Sequence, residues 1–263
     1  DVAMGWLILE GLIIGGLLGL TGAGGGILAV PALMLSQGLT VAQAAPIGLL
    51  AVTLSAMVGM LEGLFKKIVR YRAALWIVLM SIPTAHLGVV LTAYIPSIGL
   101  TLLFSFVMLI VAYRILFNKV TDYVDPPCKI NPSTGRLIWN GKTAFLLTVI
   151  GGIAGLLTGL LGVGGGFVIV PALRHVTNLD LRSIVATSLM IIFLIGGVSI
   201  AIHLLDGFHY PVSLSLTFVC ACMVGMLIGR SLMHRLDSRH VQKIFAVTII
   251  GVAVYLVWSA LIT

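Results

Sequence analysis

Charge is scarce in this chain. Asp, Glu, Lys and Arg make up 9% of its 263 residues, while 60% are hydrophobic, and the mean hydropathy is +1.20. A soluble domain keeps about a quarter of its residues charged. This one has too little polar surface to cover itself in water, so its solvent must be a bilayer. Cysteine is nearly absent as well. Cys128 lies in a polar central stretch, and Cys220 and Cys222 sit two apart in an apolar run with no His or carboxylate pattern around them. Two residues apart on a helix they face different directions, so they form neither a disulfide framework nor a metal site. There is no His-x-x-x-His, no paired carboxylates and no Ser placed with His and Asp, which argues against a membrane-embedded enzyme. The opening segment has no basic leader and no cleavage-like stretch, so it does not read as a signal peptide. No cofactor is implied.

What charge there is has a sign and a place. The net charge is +7, and the fifteen basic residues fall in four short regions: Lys66 to Arg72, Arg114 to Lys142, Arg174 to Arg182 and Arg230 to Lys243. No basic helix or aromatic platform accompanies them, so a nucleic-acid partner is not indicated. Loops held on the cytoplasmic side by the positive-inside rule account for the pattern.

Six apolar runs, at 41–65, 73–95, 98–117, 181–205, 212–234 and 241–262, are long enough to cross a membrane. About twenty residues at 1.5 Å each span a hydrocarbon core of roughly 30 Å. Two further stretches differ. The run 5–20 leads into Gly22-Ala23-Gly24-Gly25-Gly26 and then a short run, 27–36; the run 143–161 leads into Gly162-Val163-Gly164-Gly165-Gly166 and then 167–175. The short runs are only about ten residues, or ~15 Å of helix, and cannot span. Consecutive glycines break helices, and irregular backbone at membrane depth is tolerated only inside protein or beside a cavity.

The two stretches are copies. A shift of 140 positions aligns residues 11–35 with 151–175 without a gap, and 14 of the 25 pairs are identical, including the glycine triplets and Pro31-Ala32-Leu33 with Pro171-Ala172-Leu173. An internal duplication follows. It divides the chain into a first transmembrane repeat, 1–117, a cytoplasmic linker, 118–141, and a second repeat, 142–263. All four basic regions reach one face only if the halves insert upside down relative to each other, an arrangement common in secondary transporters. The expected fold is therefore an all-α polytopic membrane protein. It has two inverted-topology repeats, each a Gly-rich broken or re-entrant helix pair plus three spanning helices. The central loop is expected in the cytoplasm and both ends of the sequence outside.

In that arrangement the short helices point their N-termini at a shared central space. Unpaired N–H groups and about half a positive charge at each N-terminus attract anions without any Lys or Arg. The expected substrate-binding residues are Gly22, Gly24, Gly25, Gly26, Gly162, Gly164, Gly165 and Gly166, with hydroxyls from Thr187 and Ser188. Gly11, Gly15 and Gly19, with Gly151, Gly155 and Gly159, are spaced by four and read as smooth packing faces. His86, well inside its run, is the candidate carrier of a coupling proton or ion, while Glu62 and His203 sit near run ends and read as interfacial. The glycine clusters lack a Gly-Lys-Ser/Thr ending, which excludes a nucleotide loop.

The repeated Gly-x-Gly-Gly-Gly, followed by Val-Pro-Ala-Leu, with Ala186-Thr187-Ser188-Leu189 downstream, resembles the sulfite exporter (TauE/SafE) family of bacterial membrane transporters. The resemblance covers essentially the whole chain. It implies inner-membrane location and export of a small anion such as sulfite or an organosulfonate. One departure is that Ile47-Gly48 stands where the second half has Thr187-Ser188. An anion channel remains open on the same features.

Overall fold

The computed structural model describes residues 2–21, 25–117, 130, 133, 138–162, 166–233 and 235–262. Most of the expected linker (118–129, 131–132 and 134–137) and Gly22, Gly24, Gly164 and Gly165 lie outside the described residues. The described residues form α1 (Val2–Thr21), α2 (Gly25–Gln37), α3 (Val41–Phe65), α4 (Tyr71–Thr92), α5 (Ser97–Phe117), α6 (Gly141–Leu161), α7 (Gly166–Val176), α8 (Leu181–Leu205), α9 (Val212–Leu232) and α10 (Ser238–Ile262). Eight of them are long and apolar enough to cross a membrane. α2 and α7, with 13 and 11 residues, are not. In each glycine-broken pair the first arm, α1 or α6, is of full spanning length, and only the second is short.

Local chemistry sets several of these ends. Thr40 caps α3 with a capping box: Gln43 N–H donates to Thr40 Oγ1, and Thr40 N–H donates to Gln43 Oε1 at 3.2 Å. Asn140 Oδ1 accepts from Thr143 N at 2.8 Å to start α6. α6 stops at Gly162, whose φ of 69° is the left-handed region that favours glycine. Pro31 and Pro171 lie inside α2 and α7. Proline lacks the N–H that would bond the carbonyl four residues earlier, so Ile27 and Phe167, directly after each glycine cluster, keep carbonyls without that donor.

Helix partners repeat with the halves exchanged. α1 packs on α9 as α6 packs on α4; α3 packs on α9 as α8 packs on α4; α3 with α8, and α5 with α10, close the middle. α3 and α8 are the most buried spans (72% and 61%), and α5 and α10 the least (28% each). Large apolar side chains such as Phe106, Leu216 and Val247 point outward, as expected where the surrounding solvent is hydrocarbon.

Glycines show how the helices run. Gly11, Gly15 and Gly19 rest in turn on Phe218 and Ala221, then Cys222, then Met226 to Arg230, so α1 and α9 are parallel. Gly151, Gly155 and Gly159 rest on Ile77, then Ser81 and Thr84, then Ala85 and Val89, so α6 and α4 are parallel too. Between α3 and α8 the order reverses: Thr53 meets Gly196, Gly59 meets Leu189, and Gly63 meets Ala186. α3 and α8 are thus antiparallel. With the short turns between α3, α4 and α5 and between α8, α9 and α10, these directions bring the described Lys and Arg side chains to one end of the bundle.

The glycine faces have no room for a side chain. A Cβ on Gly155 would sit against the Ser81 carbonyl and Thr84, whereas one on Gly152, a turn aside, would meet only Thr84 Cγ2 at 4.0 Å. Gly155→Val is expected to destabilise the fold by at least about 1–3 kcal/mol, and Gly152→Ala to leave it unchanged. Thermal unfolding of the two variants in detergent checks this.

Candidate functional site

The centre of the bundle is the α3–α8 crossing. Gly196 opens the space that the Thr53 side chain fills, so one small residue lets a polar one sit between the two most buried spans. Thr53 and Ser55 on α3 and Ser199 on α8 are all buried, and their hydroxyl oxygens have no hydrogen-bond partner among the described residues. Side-chain hydroxyls in membrane helices ordinarily bond their own backbone one turn back, as Thr158, Ser105 and Thr148 do here. The three central hydroxyls depart from that habit.

The short helices come to this place. α2 turns back onto α3 through residues 38–40, and its Ala29 and Val30 lie against Gly48. Five residues separate Val30 from Gly25, and five separate Gly48 from Thr53. The start of α2 is therefore level with Thr53. α7 turns back onto α8 in the same way through 177–180, and α2 and α7 touch each other. Ile27 and Phe167 are each the first residue after a glycine triplet, and both belong to the larger buried core.

Not all the expected site residues gather there. Gly26 and Gly166 lie in the first turns of α2 and α7, with Gly25 starting α2. Gly162 instead packs on Ala45, eight residues before Thr53, or roughly 12 Å along α3. Ala186, beside Thr187, meets Gly63, at the other end of α3. Gly162 and Thr187 are thus about 27 Å apart along that helix. Thr187 is buried, and its Oγ1 accepts a hydrogen bond from Arg70 N at 2.9 Å, fastening the α3–α4 turn to α8. Ser188 is fully buried. His86 is exposed on the outer face of α4, away from the α6 and α8 contacts.

Below the crossing, at its basic end, Glu62 binds two cations. Its Oε2 accepts from Arg230 Nε at 3.0 Å, and its Oε1 from Lys66 Nζ at 2.8 Å. The Arg230 side chain is 7% exposed and that of Glu62 34%, so this ion pair ties α3 to α9 with its cation buried and its carboxylate partly open. His203 Nδ1 lies 2.8 Å from the Ser199 carbonyl. Sequence reasoning missed Thr53, Ser55 and Ser199, because hydroxyls in an apolar run stand out only once their lack of partners is known. It also missed Glu10, an acidic residue inside the apolar run of α1, a signal that was there to be read.

Span-length helices with an apolar exterior and polar atoms collected along one central crossing make a multi-pass membrane protein. Its family follows from comparison. The family model described as Sulfite exporter TauE/SafE matches residues 7–256, and the chain belongs to that family. A protein of Xylella fastidiosa (strain Temecula1), described as a probable membrane transporter protein, is 30% identical over 257 residues, covering 95% of this chain and 94% of its own. YunE and YjnA of Bacillus subtilis (strain 168), described in the same words, are 24% and 25% identical and cover 97% and 91% of this chain. No solved structure matches the chain.

An unpaired hydroxyl and a fastening one should answer differently to the same change. Thr187→Val removes the partner of Arg70 N and is expected to lower stability by about 1 kcal/mol. Thr53→Val exchanges an unpaired buried hydroxyl for a methyl and is expected to hold or raise the thermal midpoint. Melting curves of the two variants side by side decide it.

Proposed function

We propose that this chain is a secondary transporter of a small anion, sulfite or an organosulfonate, moved by alternating access around the α3–α8 crossing. One observation carries the reading: two glycine-broken hairpins bring short helices to a crossing whose buried hydroxyls have no partner among the described residues. A buried hydroxyl left without a partner costs about 1–3 kcal/mol, a cost that a bound oxyanion removes. The N-termini of α2 and α7 add oriented N–H groups and positive dipole ends, so an anion finds donors without a fixed cation. Gly25, Gly26, Gly165 and Gly166, with Gly24 and Gly164, serve close approach of the ligand to backbone, and Ser188 supplies a hydroxyl on the α7 side.

The antiparallel α3 and α8, and the collection of basic residues at one end, support halves inserted upside down relative to each other. By the positive-inside rule that end, with the 118–141 linker, faces the cytoplasm of a plasma membrane, and α1 and α10 begin and end outside. Family membership and relatives described as membrane transporters agree with transport. The family's description as a sulfite exporter supports the substrate class and the outward direction.

Proteoliposomes loaded with unlabelled methanesulfonate or sulfite and given labelled anion outside test this directly. Saturable counterflow is expected for the native protein. Gly25→Val and Gly165→Val are expected to abolish it without loss of folded protein, and Thr53→Val to slow it. Wild-type flux in both glycine variants, or flux that never saturates, would remove the carrier reading.

A further inference from the structure

Glu10 lies in the ninth position of α1, a span of 20 residues, about 12 Å from its start. Its Oε2 is buried with no hydrogen-bond partner among the described residues, and its carboxyl is hydrogen-bonded by the Ser36 side chain of α2. Ser36 is in the last turn of α2, so the carboxyl stands at the negative end of that helix dipole, where an anionic group is disfavoured. Carboxylates inside membrane spans normally pair with a cation or carry a function.

No cation reaches this one from the described elements packed around it. α2 has no ionisable residue. On α9, which faces Gly11 with Phe218, Ala221 and Cys222, the ionisable groups are Cys220, Cys222 and Arg230. Arg230 meets Gly19, nine residues or about 13 Å beyond Glu10, and is engaged by Glu62. α3 offers only Glu62. α10, which packs on α2, has Arg239, His240 and Lys243 in its first turns, at the basic end, and Tyr255 exposed. The α8–α9 turn holds Asp206 and His209, together with Tyr210, whose phenol burial pushes up and so keeps neutral.

The second half shows what this place needs structurally. Under the same shift of 140, Glu10 corresponds to Ile150 and Ser36 to Val176, both in contact with the second half's core. An apolar pair is enough to hold the α6–α7 hairpin. The first half has a carboxyl and a hydroxyl in the same two positions, which packing does not require.

We propose that Glu10 is the proton-binding carboxyl of the transport cycle. The inference rests on the transporter reading above. Uptake of a proton on Oε2 neutralises the only charge among the described residues at this contact and turns the carboxyl from a pure acceptor into a group that also donates. The Glu10–Ser36 hydrogen bond changes character with it. That bond joins the spanning arm α1 to the short arm α2, whose other end stands at the anion site. A carboxylate at one end of this short helix repels a substrate anion at the other through a low-dielectric medium, so protonation favours anion occupancy and the two move together.

The test has a spectroscopic arm and a transport arm. Infrared difference titration of the purified protein in lipid reads the carbonyl stretch of protonated carboxyls, compared between native protein and Glu10→Gln. Uptake of methanesulfonate, whose charge does not change with pH, is followed in proteoliposomes with and without a pH gradient, with Gly152→Ala as control. Expected are a titrating band missing from Glu10→Gln, loss of gradient-driven accumulation in that variant with exchange retained, and native behaviour in Gly152→Ala. No Glu10-dependent band, or native gradient-driven accumulation in Glu10→Gln, overturns the proposal. If the native protein moves no methanesulfonate, the transport reading fails by itself, and the infrared comparison alone decides whether Glu10 binds a proton.

Discussion

Burying an apolar side chain gains little when the solvent is itself hydrocarbon, so these helices are held by how closely they approach. Glycines provide that closeness. On α1 and α6 they recur every fourth residue, and the carbonyls of α9 and α4 occupy the space a side chain would fill. Everything else is arranged around these two seams. They fix the outer helices in parallel pairs, which leaves α3 and α8 to cross in the middle and places the short helices against them. The crossing in turn uses small residues: Gly59 and Gly63 make room for Leu189 and Ala186, and Gly196 for the polar Thr53.

Much of this was legible from the residues. Span lengths follow from 1.5 Å per residue, and the apolar run at 41–65 coincides with α3. The shift of 140 was visible because glycines in register are hard to produce by chance. The two short arms were readable as too short to cross, although α1 and α6 are each long and apolar enough to do so. What escaped was contact across the duplication. Glu62 reads as interfacial from its place near a run end, yet it pairs with Arg230 on another helix. Thr53 and Gly196 are not equivalents under the shift, and only the antiparallel crossing brings them together. Thr187 reads as a ligand group by its position, while its oxygen engages the backbone of Arg70.

The duplicated scaffold carries unequal chemistry. Thr187 and Ser188 stand opposite Ile47 and Gly48 in the alignment, and Gly48 is where Val30 nestles against α3. Glu10 and Ser36 stand opposite Ile150 and Val176, each one position beyond the block of 25 aligned pairs. Each half therefore keeps the glycines and prolines that shape the backbone, while polar groups are divided between them.

The exchange of partners between halves also governs how the chain is made. The first described helix, α1, has its main packing surface against α9, one of the last two described, and α4 must wait for α6. During synthesis the N-terminal half sits in the membrane with its glycine-lined faces uncovered, and it cannot complete its own core. Folding of this protein is thus a late, whole-chain event rather than the stepwise closing of two independent units. A newly made first half is an unfinished partner, open to lipids and to the wrong helices until the last spans arrive.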